Sequence, residues 1–247
     1  MGTVGIRVED RTTVAKYKTL LERGRKRAFK RALDLRWRVS PPDYDRTFRL
    51  KVNGFDIVVL PSVFHPNWHF TSLFLAQACE TLVKQKGLSV LEVGTGTGLV
   101  ALSAARQGAD VSATDINPTA VRCARLNAIS NGLAAQVRVF EGDMFAPVAG
   151  QRFSLILCNP PYFAGHARND ADLAYRGGPN LEWLSKFAQE ARAHLDVHGK
   201  LVCVLGDAAD VQGLVGRITA EGWEPTCIER RSLPTEQLSL WQFMPLA

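Results

Sequence analysis

The sequence predicts an α/β fold in three layers, a sheet covered by helices on both faces, and two strand ends carry that expectation. Leu88-Ser89-Val90-Leu91-Glu92-Val93 is an apolar, strand-like run that opens directly into Gly94-Thr95-Gly96-Thr97-Gly98 and then the helical pattern Leu99, Leu102, Ala105. A second run, Phe153, Leu155, Ile156 and Leu157, ends at Asn159-Pro160-Pro161-Tyr162. Neither proline has a backbone N–H to donate, so a central strand must stop there. Such strand ends are where ligands bind in open α/β sheets. At 247 residues the chain is long enough to bury a sizeable core as one domain plus an extension.

Residues 1–46 read as a basic, mainly helical extension. Val14, Tyr17, Leu21, Ala28 and Leu35 fall at helical spacing, with Gly24 interrupting, and Arg25, Lys26, Arg27, Lys30 and Arg31 lie largely on the other faces. Residues 1–51 hold fifteen Lys/Arg against six Asp/Glu, a balance of +9, which leaves −3 for residues 52–247 out of the total of +6. Two readings follow. The extension is an arm that holds an anionic macromolecule such as RNA through phosphate contacts, or it is a solvated helix packed by its apolar stripe.

Residues 47–247 supply the remaining elements. Phe48, Leu50, Val52 and Phe55, Ile57, Val59 alternate on either side of Asn53-Gly54, the strongest short signal for a β-hairpin. Residues 111–114 read as a strand ending in Asp115, and Asn117-Pro118 then caps and opens a helix. Residues 137–140 form a third strand before Glu141-Gly142-Asp143. Leu181, Leu184, Phe187, Ala188, Ala191 and Leu195 keep a helical period; residues 200–205 are a strand, 211–221 a helix, and 224–231 and 238–244 two closing strands.

The two strand ends also carry chemistry. Asn159 offers an amide, Pro160 a carbonyl and Tyr162 an aromatic face, a set suited to holding a planar –NH2 group by accepting both its hydrogens. Two acceptors aimed at those hydrogens push electron density back onto a delocalised nitrogen and stabilise the charge that develops on alkylation. The same tetrapeptide can also be only a turn. A Gly-rich turn after a strand fits a nucleotide site or a plain βα connection, but here the place of a dinucleotide fingerprint's third glycine holds Leu99, which argues against NAD and for S-adenosylmethionine. Asp115 lies 21 residues beyond Gly94, where an acid would accept from ribose hydroxyls, and Asp143 could accept from an adenine amino group. Taken singly, each acid is equally a solvated strand end or a helix cap.

Glu92 to Gly98, Asp115, Asp143 and Asn159 to Tyr162, in that order and spacing, resemble the class I S-adenosylmethionine-dependent methyltransferases, and within them the amino-methylating branch that carries Asn-Pro-Pro-Tyr. The chain is most similar to the protein-glutamine methyltransferases that modify release factors. The resemblance covers roughly residues 47–247 and implies a Rossmann-like seven-stranded sheet in the order 3-2-1-4-5-7-6, the last strand antiparallel, preceded by a β-hairpin. It implies Asn159, Pro160 and Tyr162 as the catalytic set and Glu92, Gly94, Thr95, Gly96, Gly98, Asp115, Asp143, Asn159 and Thr71 as cofactor contacts. Thr71 follows from a roofing segment before the first helix, and Val63-Phe64-His65-Pro66-Asn67-Trp68-His69-Phe70-Thr71 departs there from the family's Arg-Pro and Thr-Glu wording. The implied reaction is N-methylation of a protein glutamine by S-adenosylmethionine, with S-adenosylhomocysteine as product. An exocyclic amino group of an RNA or DNA base and a small-molecule nitrogen remain alternative acceptors.

Other classes fit less well. Five cysteines, Cys79, Cys123, Cys158, Cys203 and Cys227, are odd in number and never in Cys-x-x-Cys spacing, so they read as buried thiols of a cytoplasmic protein. The N-terminus lacks the apolar core of a signal peptide, and no apolar run approaches the roughly 18 residues of a membrane span. His65/His69 and His194/His198 have i, i+4 spacing without the internal Glu of a zinc helix, so no metal is expected. His166, four residues past Tyr162, could reach the acceptor pocket.

Overall fold

A computed structural model describes residues 45–66, 70–234 and 236–246. The extension expected over residues 1–46 lies almost wholly outside the described residues, as do Asn67, Trp68 and His69 of the roofing segment. The larger of two compact units, Asp43–Arg231 with Gln237–Ala247, contains the hairpin, the sheet and the cleft between its loops.

The hairpin pairs β1 (Phe48–Val52) with β2 (Phe55–Val59). Asn53 and Gly54 both take positive φ, 51° and 78°, which is the demand that a two-residue primed turn makes and the reason for this dipeptide. Seven further strands form one sheet: β3 (Ser89–Val93), β4 (Asp110–Asp115), β5 (Val137–Glu141), β6 (Phe153–Cys158), β7 (Leu195–Gly206), β8 (Trp223–Ser232) and β9 (Gln237–Pro245). Their spatial order is β5-β4-β3-β6-β7-β9-β8. Counted without the hairpin this is 3-2-1-4-5-7-6, as the resemblance implied, and β9 runs antiparallel to β7.

Period-two alternation decides the two faces. Leu91 and Val93 of β3, Ile156 and Cys158 of β6, and Leu201, Cys203 and Leu205 of β7 share one buried cluster with Leu184, Phe187 and Ala188 of α5 (Glu182–Ala191) and Leu214 and Ile218 of α6 (Val211–Ala220). The opposite face meets α1 (Thr71–Leu82), α2 (Leu99–Arg106) and α3 (Pro118–Ser130). A one-turn helix, α4 (Asp170–Leu173), interrupts the long loop after β6. Helix α3 begins as its sequence demands: the Asn117 side chain accepts from Thr119 N and Pro118 takes the first position.

Two boundaries differ from the expectation. The helical period that ran to Leu195 stops at Ala191; a single 3-10 turn follows, and Leu195 is the first residue of β7. Leu195 pairs with Phe153 across a register irregularity and is buried there, so its apolar side chain serves the sheet. The strand expected over residues 200–205 consequently starts five residues earlier.

The hairpin is attached by polar bonds. Asn127 of α3 is fully buried; its Oδ1 accepts from Val58 N (2.8 Å) and its Nδ2 donates to the carbonyls of Val58 (2.8 Å) and Thr97 (2.9 Å). One side chain thus joins hairpin, helix and Gly-rich turn, and a buried amide whose groups are all paired holds such a junction without penalty. The chain leaving the hairpin is held by Asn117 Nδ2, which donates to the Ser62 carbonyl at 3.2 Å, and this sets Val63 and Phe64 over the sheet end.

Candidate functional site

The order of the sheet reverses at β3 and β6: the chain leaves β3 toward β4 and β5 on one side, and β6 lies on the other. A crevice opens at such a switch point, outside the carboxyl ends of the strands. Here the cleft is lined by the turn after β3 (Gly94 to Thr97), Asp115 and Ile116 after β4, Asp143 and Met144 after β5, and Asn159 and Pro161 after β6. Phe64, Ser72, Trp183 and the α4 region (Asp170, Leu173, Ala174) complete its walls.

The Gly-rich turn is shaped for close approach. Gly94 and Gly96 have φ of 75° and 55°. A side chain at Gly94 would meet nothing within 4 Å, and at Gly96 only Phe64 Cβ at 4.0 Å, so the backbone faces open space on the cleft side. Gly98 is different. It does not line the cleft, and a Cβ there would sit 3.1 Å from Ala124 Cβ, so this glycine permits α2 and α3 to pack closely. Gly94 N and Thr95 N both donate to the Thr114 carbonyl, at 2.9 and 3.0 Å, and hold the turn against β4.

Two acids support that turn. Glu92 is buried, and its Oε2 accepts from Thr95 Oγ1 (2.7 Å) and from Ala101 N (2.9 Å), an otherwise unpaired N–H in the first turn of α2. Burial raises its pKa to about 8, against the opposing pull of those two bonds. Asp115 accepts from Gly96 N through Oδ2 (2.8 Å) and from Asn117 N through Oδ1 (2.9 Å), while burial pushes its pKa upward. Each carboxylate oxygen retains a second lone pair, so Asp115 can also accept from a ligand hydroxyl. Asp143 lines the cleft, but its Oδ2 is paired with Lys186 Nζ at 2.6 Å on the solvent side.

At the other end of the cleft, Asn159 Nδ2 donates to Thr71 Oγ1 at 3.1 Å and to Ser72 Oγ at 3.0 Å. Its Oδ1 takes no hydrogen bond among the described residues. Thr71 is buried and does not line the cleft; the neighbouring Ser72 does. Pro160 is buried, and Tyr162 packs on the α5–α6 cluster with its ring 5.1 Å from Phe163, so neither lines the cleft. His166 is exposed. Of the histidines, His69 lies outside the described residues; His65 is edge-on to Phe48, and His194 stacks on Phe145 with Nδ1 at the Gln151 carbonyl.

Sequence reasoning missed several walls. Trp183 stacks on Phe187 and reaches the cleft from the start of α5. Phe64 meets Tyr175 at 5.4 Å, joining the roofing segment to the loop after β6. That loop is shaped by bridges from Phe163 to Arg176 and from Gly165 to Gly178. Its Gly177-Gly178 pair was the only local signal: a Cβ at Gly177 would fall 2.5 Å from the Pro161 carbonyl, so glycine lets the loop fold back on Asn-Pro-Pro-Tyr.

Comparison with known proteins shows the family to which the chain belongs. A family profile described as "Methyltransferase small domain" matches residues 55–219. A Methanocaldococcus jannaschii protein, assigned by name alone to protein N5-glutamine methylation, is 29% identical over 195 residues, covering 76% of this chain and 95% of that one. A release factor glutamine methyltransferase of Deinococcus radiodurans is 37% identical over 165 residues, covering 62% of this chain and 58% of its own. The solved structure of a methyltransferase from Pyrococcus furiosus superposes with a TM-score of 0.57 at 25% identity, covering 77% of this chain and 89% of that one.

Proposed function

Because the chain belongs to the methyltransferase small-domain family, we propose that it transfers a methyl group from S-adenosylmethionine to the amide nitrogen of a protein glutamine. The observation that carries the acceptor half is the set of Asn159: its NH2 is held back by Thr71 and Ser72, which leaves Oδ1 free to accept from the acceptor. The family supports the methyl-transfer half, and the relatives named for glutamine methylation support the choice of nitrogen. This chain spans only 58% of the release-factor relative, whose name makes a release factor the first acceptor to try.

The cleft fits the cofactor. Thr114 lines it and carries a buried hydroxyl with no partner among the described residues, and Gly94 and Gly96 face open space where a ligand can lie against the backbone. Asp115 would take the ribose hydroxyls. Asp143, Met144 and the exposed apolar face of Ile116 would border the adenine, and Glu92, Gly94 and Thr95 the amino-acid end. When bound, S-adenosylmethionine supplies a sulfonium-activated methyl for in-line displacement.

The protein's part is positioning and electrostatics. Asn159 Oδ1 and the Pro160 carbonyl, which accepts no backbone hydrogen bond among the described residues, would take the two hydrogens of the acceptor –NH2. They localise the nitrogen lone pair and stabilise the positive charge formed on attack. Tyr162, packed on the α5–α6 cluster, would anchor the loop that carries Asn159. The nitrogen's proton becomes acidic only as the new bond forms, so no strong base is needed beforehand. We assign the basic residues 1–46 to holding an anionic macromolecule, and five free thiols suit the cytosol. No helix among the described residues is long and apolar enough to cross a membrane.

The test is to incubate the protein with methyl-labelled S-adenosylmethionine and separate protein, nucleic acid and extractable small molecules. Label should enter a release factor and be released as methylamine on acid hydrolysis. Label confined to nucleic acid or small molecules would overturn the glutamine assignment, and calorimetric heat with NAD but not with S-adenosylmethionine would overturn the cofactor.

A further inference from the structure

We infer that the cofactor binds in exchange for a proton: Glu92 is a neutral acid in the free protein and becomes the carboxylate partner of the cofactor's ammonium group. This exchange rests on S-adenosylmethionine as the ligand of the cleft, and it adds which atom meets the amino-acid end and how binding depends on pH. S-adenosylmethionine carries a sulfonium, an ammonium and a carboxylate, so its net charge is positive. The ionisable side chains that line the cleft are Glu92, Asp115, Asp143 and Asp170, all acids. Two of them support the Gly-rich turn. Both Asp115 oxygens already accept a backbone N–H, from Asn117 and from Gly96. Glu92 Oε2 accepts from Thr95 Oγ1 and Ala101 N, whereas Oε1 takes no hydrogen bond among the described residues. Oε1 is therefore the one carboxylate oxygen beside the turn that has no donor.

Glu92 is 4% exposed and meets no cation among the described residues. The donors on its Oε2 are a hydroxyl and an amide, both uncharged. Asp115, at the end of β4, opposes its ionisation, and Cys79 of α1 and Cys158 of β6 are thiols kept protonated by burial. Arg106, the basic residue of α2, turns to the hairpin, where it donates to the Asn53 carbonyl at 2.6 Å. A carboxylate without an opposite charge is costly to bury, so the group keeps its proton, with a pKa of about 8. An ammonium docked against Oε1 supplies that charge and pulls the pKa down. One proton then leaves for one ammonium bound: the carboxyl O–H bond breaks, its electron pair stays on the carboxylate and the proton goes to water. Affinity for a ligand with this ammonium must rise as pH increases toward 8.

Calorimetry of the full chain tests the exchange with two ligands. S-adenosylhomocysteine keeps the ammonium; 5′-methylthioadenosine keeps adenine and ribose but lacks the amino-acid end. Titrations at pH 6 and pH 7 in buffers of different ionisation enthalpy count the protons released. S-adenosylhomocysteine should release close to one proton, with Kd falling about tenfold from pH 6 to pH 7, and 5′-methylthioadenosine should release none. Glu92→Gln should abolish both the release and the pH dependence. Binding of S-adenosylhomocysteine without proton release overturns the exchange, because a protonated Glu92 would then be donating to the ligand's carboxylate. Equal release by both ligands, or undiminished release in Glu92→Gln, also overturns it and moves the titration to another group, Asp115 first. Failure of either ligand to bind at all would overturn the cofactor reading, and the exchange with it.

Discussion

Replacing Glu92 by Gln should relieve a loss of stability that the wild type suffers as pH rises through neutrality. Glu92 is 4% exposed, and burial raises its pKa from 4.5 to about 8. An acid whose folded-state pKa lies above its unfolded value contributes stability that is fully present below pH 4.5 and is lost as pH rises through about 8. Inside that window the folded state holds one more proton than the unfolded state, so stability falls by about 1.4 kcal/mol per pH unit. Between pH 6 and 8, where the folded group itself begins to ionise, the loss comes to about 2 kcal/mol. Gln keeps an oxygen that can accept from Thr95 Oγ1 and Ala101 N but has no charge to desolvate. Urea unfolding followed by tryptophan fluorescence at pH 6, 7 and 8 gives the comparison. The variant should gain about 2 kcal/mol on the wild type across the window, and the difference between the two profiles cancels every other titrating group. Parallel profiles would refute the reasoning, because they would mean that Glu92 is hydrated and ionises normally.

Three further outcomes follow from the site. Asn159→Ala should lower kcat about 100-fold or more while cofactor affinity by calorimetry stays within a few fold; unchanged turnover would reduce Asn-Pro-Pro-Tyr to a turn. Gly96→Ala and Gly98→Ala should separate ligand from fold. Both place Cβ on a left-handed backbone at a cost of roughly 1–2 kcal/mol, but only Gly98 would press on Ala124, so thermal melting should show the larger loss for Gly98→Ala and calorimetry the larger loss of S-adenosylmethionine affinity for Gly96→Ala. Neutralising Arg25, Lys26, Arg27, Lys30 and Arg31 should raise the KM of a macromolecular acceptor and reduce its log–log salt slope by roughly one unit for each phosphate no longer neutralised; an unchanged slope in a folded variant would make the extension structural.

Local chemistry determined much of this protein in the sequence alone. Asn53-Gly54 could only be a primed hairpin turn, Asn117-Pro118 could only begin a helix, and two prolines after a buried run had to end a strand; each depends on φ, on a missing N–H or on a cap, all properties of a few consecutive residues. The succession of apolar runs and helical periods then left few possible topologies, and the resemblance at four motifs selected the strand order found. Packing decided what periodicity could not. Leu195 fits the helical spacing of α5, yet it opens β7 because Phe153 is there to pair with it. Gly98 belongs to the glycine motif by spacing but to the α2–α3 contact by position, and Asp143 points to the cleft while holding Lys186. Ser72, Phe64 and Trp183 carry no motif at all; they become part of the site because the sheet order brings α1, the roofing segment and the start of α5 to one strand edge. Residue type and spacing can declare which chemistry a chain holds, but Asn159 finds its hydrogen-bond partners on Thr71 and Ser72, 88 and 87 residues away, and only the folded arrangement sets partners at that separation.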